Sequence, residues 1–186
     1  MSNQINDFSL LCRLFGNLFY RSPQDPVLTG VLQWLEQQGL SQVWALVEDD
    51  QISVALKQLQ KKQDLAVLVE DYQTLNQAVS FRISDYAISV EQFVAFRQER
   101  GIPDVAQADQ VGLLLLTASW LEDNSGSLQA QQQLFEQYLL PTMAKFLGKI
   151  EAHAKTVFYR ALARLTRVAL ASMADELEEN ALALQE

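Results

Sequence analysis

Asp109 and Gln110 stand side by side at the entrance to a run, residues 111–121, that carries no charged side chain. A carboxylate only accepts hydrogen bonds, whereas a carboxamide both donates and accepts, so the pair can hold backbone groups or a cation but cannot shuttle a proton through Gln110. Other chemistry-bearing residues are scarce. Cys12 and His153 are the only cysteine and histidine, too few for a zinc site. Ile150 stands three before His153 and Glu151 two before, so the Glu-x-x-His pairs of a di-iron bundle are missing. Cys12 falls on an apolar stripe, where a thiol packs rather than reacts. No Gly-x-Ser-x-Gly elbow, phosphate loop or dinucleotide fingerprint occurs. The clusters Glu48-Asp49-Asp50, Glu122-Asp123 and Glu178-Glu179 read as solvated faces or helix ends. Arg160, Arg164 and Arg167 read as a solvated edge pairing with nearby acids, with a bound phosphate or acidic segment as the functional alternative. Trp34, Trp44 and Trp120 read as packing residues, and His153 as structural or superficial. No catalytic residue, no metal and no cofactor is expected.

The elements that must position the Asp109-Gln110 pair are helical. Ile5, Phe8, Leu11, Cys12, Phe15 and Phe19 recur at three- and four-residue steps, predicting an opening helix ended by Pro23 and Pro26. Asp25-Pro26 predicts a second helix start, with the helix running to Gly39; further helices are expected over 51–60 and 64–77. Residues 79–88 alternate weakly and read as a loop rather than a short strand. Ser89 is an N-cap candidate ahead of Phe93 and Phe96, and Gly101 stops that helix. The segment 101–109, GIPDVAQAD, reads as a hinge between a lobe of residues 1–100 and a lobe of residues 110–186. Asp109 is then expected in the first turn of a buried helix that Asn124-Ser-Gly-Ser closes. Helices over 128–139, from Pro141 to 152, and over 156–177 follow; in the last, Phe158, Ala161, Leu162, Leu165, Val168 and Ser172 share a face. No repeat or long heptad is visible. The fold class is all-α.

The totals narrow the partners. With 49% hydrophobic and 20% charged residues among 186, and only seven glycines and four prolines, the chain has the makings of a helix-rich core. A formal net charge of -9 disfavours nucleic acid, whose affinity rests on clustered Lys and Arg, and suits a basic ligand. The opening MSNQINDFSLLCRLFG lacks a cationic region and carries Asp7, unlike an export signal. The apolar run 111–121 falls short of the roughly 20 residues that cross a bilayer, so no membrane insertion is expected. One cysteine allows no internal disulfide. These features fit a cytoplasmic protein.

Three stretches resemble a known family. 12-CRLFGNLFYRSPQDPVL-28 is similar to the opening helix and turn of the TorD/DmsD family of redox-enzyme maturation chaperones, especially its YcdY-like branch. 107-QADQVGLLLLTASWLED-123 resembles the family's Pro-x-Asp-His run followed by an apolar helix, and 139-LLPTMAKFLGKIEAHAKTVFYRALARLT-166 its closing helices. The resemblance implies a TorD-like helical fold of two lobes and a hinge. It implies binding of the twin-arginine signal peptide, or of the apo-form, of a molybdoenzyme-type oxidoreductase, with help in cofactor loading before export. Asp109 and Gln110 occupy the Asp-His positions, and Gln110 departs from the pattern. The run 78-AVSFRISDY-86 keeps Ser84 and an aromatic at Tyr86 but lacks the family's two prolines. Carried over residue by residue, the resemblance implies peptide-binding roles for Asp109, Gln110, Ser84, Tyr86, Arg13, Phe15, Tyr20 and Trp120. From the residues alone, Asp109 reads equally as a plain N-cap and as a group facing a cationic peptide. The alternatives to a signal-peptide chaperone are a chaperone for a different metalloenzyme client and a helical adaptor without signal-peptide binding, with a homodimer compatible with either. A nucleotide hydrolase built on the Arg160 stripe would lack a phosphate loop.

Overall fold

The computed structural model describes residues 7–184; Ile5 and the rest of residues 1–6, with the expectations placed on them, lie outside these. Helix α1 (Asp7–Tyr20) buries Leu11, Cys12, Phe15, Leu18 and Phe19, following the stripe from Phe8 onward. Helix α2 (Pro26–Glu36) starts where the Asp25 carboxylate accepts from the Val27 amide, with Pro26 in the first turn, where a missing N–H costs nothing. It stops short of Gly39. Gln38 takes a left-handed φ of 62°, and a separate short helix, α3 (Gly39–Val43), follows. The indole of Trp34 lies 2.2 Å from where a Cβ on Gly39 would be, so only glycine admits that ring.

Helix α4 (Asp50–Gln60) is capped by Asp49 and α5 (Leu65–Ala78) by Asp64, each carboxylate accepting from a backbone amide of the first turn. Residues 79–88 form a loop with a single 3-10 turn, Ile83–Tyr86. Ser89 caps α6 (Val90–Glu99) by accepting from the Gln92 amide. Helix α7 (Gly112–Asn124) is buried almost all round.

Two expectations about the second half are corrected. Helix α8 (Leu128–Leu134) and α9 (Leu140–His153) are joined by a π-turn, Phe135–Leu139, into one continuous helical path, so Pro141 restarts nothing. Proline lacks an N–H and its ring crowds the carbonyl four residues back, here that of Gln137. The wider turn just ahead of it absorbs the misfit. Helix α10 (Val157–Ala183) begins at its cap Thr156 and runs past residue 177. Its inner face carries Phe158, Ala161, Leu162 and Leu165 as expected, but Val168 and Ser172 are only half-buried, and Ala169, Leu170, Met173 and Leu177 continue the buried side.

One buried apolar cluster connects these elements, with α1 lying along α7 and touching α10, and α10 packing on α4 and α9. The crossing of α1 and α7 is backbone to backbone. A Cβ on Gly112 would come within 2.7 Å of both the Gly16 carbonyl oxygen and the Tyr20 amide nitrogen. That contact fixes the segment before α7 against the end of α1. Elsewhere the buried Asp71 of α5 accepts from the amides of Lys155 at 3.0 Å and Thr156 at 2.8 Å and from the Thr156 hydroxyl at 2.6 Å. A carboxylate at the positive end of a long helix is doubly favoured, by hydrogen bonding and by the helix dipole. Among the described residues no helix is long and apolar enough to cross a membrane.

Candidate peptide-binding site

Asp109 does not cap α7, contrary to the N-cap expectation. Its Oδ1 accepts from the Ser84 amide at 2.9 Å, and its Oδ2 from the Ser84 hydroxyl at 2.6 Å and from Arg82 Nε at 3.1 Å. The carboxylate therefore staples the segment before α7 to the 3-10 turn. Partial burial works to raise the Asp109 carboxyl, but the Ser84 hydroxyl and amide and the Arg82 guanidinium outweigh it, and the group sits below its ordinary value. The side chain keeps 26% of its surface exposed, and that of Arg82 keeps 68%.

The cap comes from the neighbour. Gln110 Oε1 accepts from the Gly112 amide at 2.5 Å while its Nε2 donates to the Phe19 carbonyl at 3.1 Å. Both ends of the buried carboxamide are thus spent on joining the start of α7 to the end of α1. A neutral imidazole could also donate at one nitrogen and accept at the other, but with a different reach. The Val111 amide donates to the Phe81 carbonyl at 2.8 Å, and the Tyr72 hydroxyl to the Phe19 carbonyl at 3.2 Å. Tyr20 reaches the same segment by donating to the Gln107 carbonyl at 3.4 Å. Ser84, Asp109, Gln110 and Tyr20 are therefore brought together around one junction.

Alignment with known proteins decides what kind of molecule carries this junction. The chain is 41% identical over 185 residues to the chaperone protein YcdY of Escherichia coli K12, matching 95% of this chain and 98% of that one. The chain belongs to the TorD/DmsD family of redox-enzyme maturation chaperones, in its YcdY-like branch. It is also 60% identical over 179 residues to an uncharacterized protein of Haemophilus influenzae, across 95% of this chain and 97% of that one. A Tat proofreading chaperone DmsD of Salmonella paratyphi A matches at 28% over 195 residues, across 94% of this chain and 92% of that one. No family model matches. A TorD/DmsD protein is a chaperone and not an enzyme, so what matters in its site is what it can grip.

Of the remaining residues named from the family pattern, Tyr86 shares the 3-10 turn with Ser84 but is buried, and the others lie on α1 and α7. Phe15 and Tyr86 are core side chains: Phe15 is buried on α1, and the Tyr86 hydroxyl donates to the Ser80 carbonyl at 2.6 Å with its ring edge-on to Phe146. Burial, helped by Asp85, pushes the Tyr86 hydroxyl up to about 12. Arg13 pairs with Asp123, which also accepts from the Ser9 hydroxyl at 2.6 Å. Half-buried Trp120 lies on α7. Arg13 borders an apolar cleft of about 280 Å³ between α1 and α2, walled by Leu10, Leu14, Val31 and Trp34.

Sequence reasoning missed Arg82, although it lay inside the quoted run two residues before Ser84. It also missed Arg97, a buried cation on α6 that donates to the Thr117 hydroxyl and, at 2.7 Å, to the Pro103 carbonyl, anchoring the start of 101–109. The arginine stripe of α10 matches its bland reading in part: Arg164 and Arg167 both pair with Glu151, at 2.7 and 2.9 Å. Arg160 instead donates to the Lys155 carbonyl at 2.9 Å.

Proposed function

We propose that this chaperone works in the cytoplasm, holding the twin-arginine signal peptide, or the apo-form, of a molybdoenzyme-type oxidoreductase and assisting cofactor loading before export. The observation that carries this reading is the Asp109 carboxylate, which keeps exposed surface and has as its cationic partner a highly exposed arginine, Arg82, held through Nε. A guest guanidinium presents a planar fork of donors suited to a carboxylate and can take the place that Arg82 fills. Arg82 then competes with the guest.

The apolar part of such a guest has a seat close by. The α1–α2 cleft reaches Asn17, one turn before Tyr20, whose hydroxyl bonds the segment leading to Asp109. In this reading segment 101–109 is a hinge between lobes 1–100 and 110–186, with Gly101 supplying a φ of 70° at its start. The net charge of -9 favours encounter with a cationic peptide, and the attraction weakens with salt.

Calorimetric titration with a twin-arginine peptide and its twin-lysine counterpart tests the reading. The arginine peptide is expected to bind more tightly, Asp109→Asn to weaken it about tenfold or more, and Arg82→Gln to strengthen it. Equal affinity for both peptides, or an Asp109→Asn protein that binds normally and merely melts earlier, sinks the proposal and leaves Asp109 as a structural staple.

A further inference from the structure

A second groove lies where the π-turn faces the last turns of α10. Its floor is apolar, formed by Phe135 and Leu140 on one wall and Ala174, Leu177 and Ala181 on the other, in a space of about 410 Å³. Glu136 and Glu178 stand on opposite walls of it, and no lysine or arginine lines it. Leu140 is 46% exposed. The apolar positions Ala174, Leu177 and Ala181 of α10 and its C-cap Leu184 follow three- and four-residue steps, and Leu184, at 77% exposure, lies beyond the groove. Among the described residues, Leu140 and Leu184 thus leave apolar surface open at the groove and beyond it.

The charge around the groove selects the occupant. Glu136, Asp175, Glu176, Glu178 and Glu179 form no ion pair among the described residues, and the sequence holds no basic residue after Arg167. A second copy docking groove to groove would set these carboxylates against their own kind. A helix bearing apolar residues on one face and lysines or arginines on its flanks satisfies both floor and rim, the usual chemistry of helix-in-groove recognition. The π-turn shapes the wall, and such turns recur where function needs an irregular helix.

We infer that the groove between the π-turn and the end of α10 docks a cationic amphipathic helix of a protein partner, at a place separate from the Asp109 junction. The site goes beyond the signal-peptide reading and stands or falls without it.

The test titrates the full chain with a helical peptide of about four turns, apolar on one face and lysine-flanked, and with a version whose lysines are replaced by glutamates. Binding of the lysine peptide is expected to weaken with salt, to drop about tenfold or more in a Glu136→Lys, Glu178→Lys double variant, and to be lost with the glutamate peptide. Leu140→Gln, at an exposed position, is expected to weaken it without changing the circular dichroism. Asp109→Asn is expected to leave it untouched. Undiminished binding to the double variant overturns the inference. So does binding that Asp109→Asn abolishes, equal binding of both peptides, no binding at all, or self-association that Leu140→Gln disrupts. Loss of twin-arginine binding in Asp109→Asn beside intact helix binding keeps the two sites apart, and a failed Asp109 test leaves this one standing.

Discussion

Cys12 is 3% exposed on the inner side of α1, and burial, with a smaller push from Glu122, raises its thiol to about 12. At neutral pH almost no thiolate forms, so the native protein should resist a thiol reagent such as iodoacetamide and react fully once unfolded. Labelling of native Cys12 at the rate of a free thiol would show that α1 opens readily from the core. That this thiol packs in the core was legible from its place on the apolar stripe. The roles within the Asp109-Gln110 pair were not, because they depend on where Ser84 and the Phe19 carbonyl lie, 25 and 91 residues away in the chain. A sequence places an acid next to a helix start, and capping is the nearest use for it; only folding brings up a better donor.

Among the helices, the starts were the readable features and the joins were not. Asp25, Ser89 and Thr156 each cap as their residue types suggest, since the bond runs to an amide two or three residues on and needs no tertiary partner. The π-turn escaped because Pro141 ordinarily signals a break, and continuity is preserved only by a local widening of the helix. The α1–α7 crossing was equally hidden. Its dependence on Gly112 makes an opposed pair of substitutions informative. Gly112→Ala drives a methyl into α1 backbone and is expected to cost about 1–3 kcal/mol. Gly30→Ala on α2, where a Cβ meets nothing within 4 Å, is expected to be neutral or to stabilise by about 0.5–1 kcal/mol. Urea melts of the two variants check this, and equal destabilisation would mean the helices are not in backbone contact.

At the scale of the molecule, folded-state proton affinities bound the pH range of stability. Burial tends to raise Glu151, but hydrogen bonds and charge from Arg164 and Arg167 prevail, and like Asp109 it lies below its ordinary value. A carboxylate so depressed contributes stability that is complete above its unfolded value and lost as pH falls through the folded one. Burial raises Cys12, Tyr86 and Tyr159, whose contribution is complete below their unfolded values and lost as pH rises beyond them. The melting temperature is therefore expected to be level between about pH 5 and 8.5 and to fall on either side. Glu151→Gln should flatten the acid limb, and an unchanged limb in that variant would remove Glu151 from the account. The sequence by itself determined the all-α class, most helix starts, the family and the acidic character, because these follow from short-range periodicity, local capping and composition. The tertiary structure alone decided that Asp109 faces Arg82, that Gln110 joins two helices, and that a groove with acidic residues on both walls opens beside α10. Those facts depend on groups far apart in the chain, and no local pattern encodes their meeting.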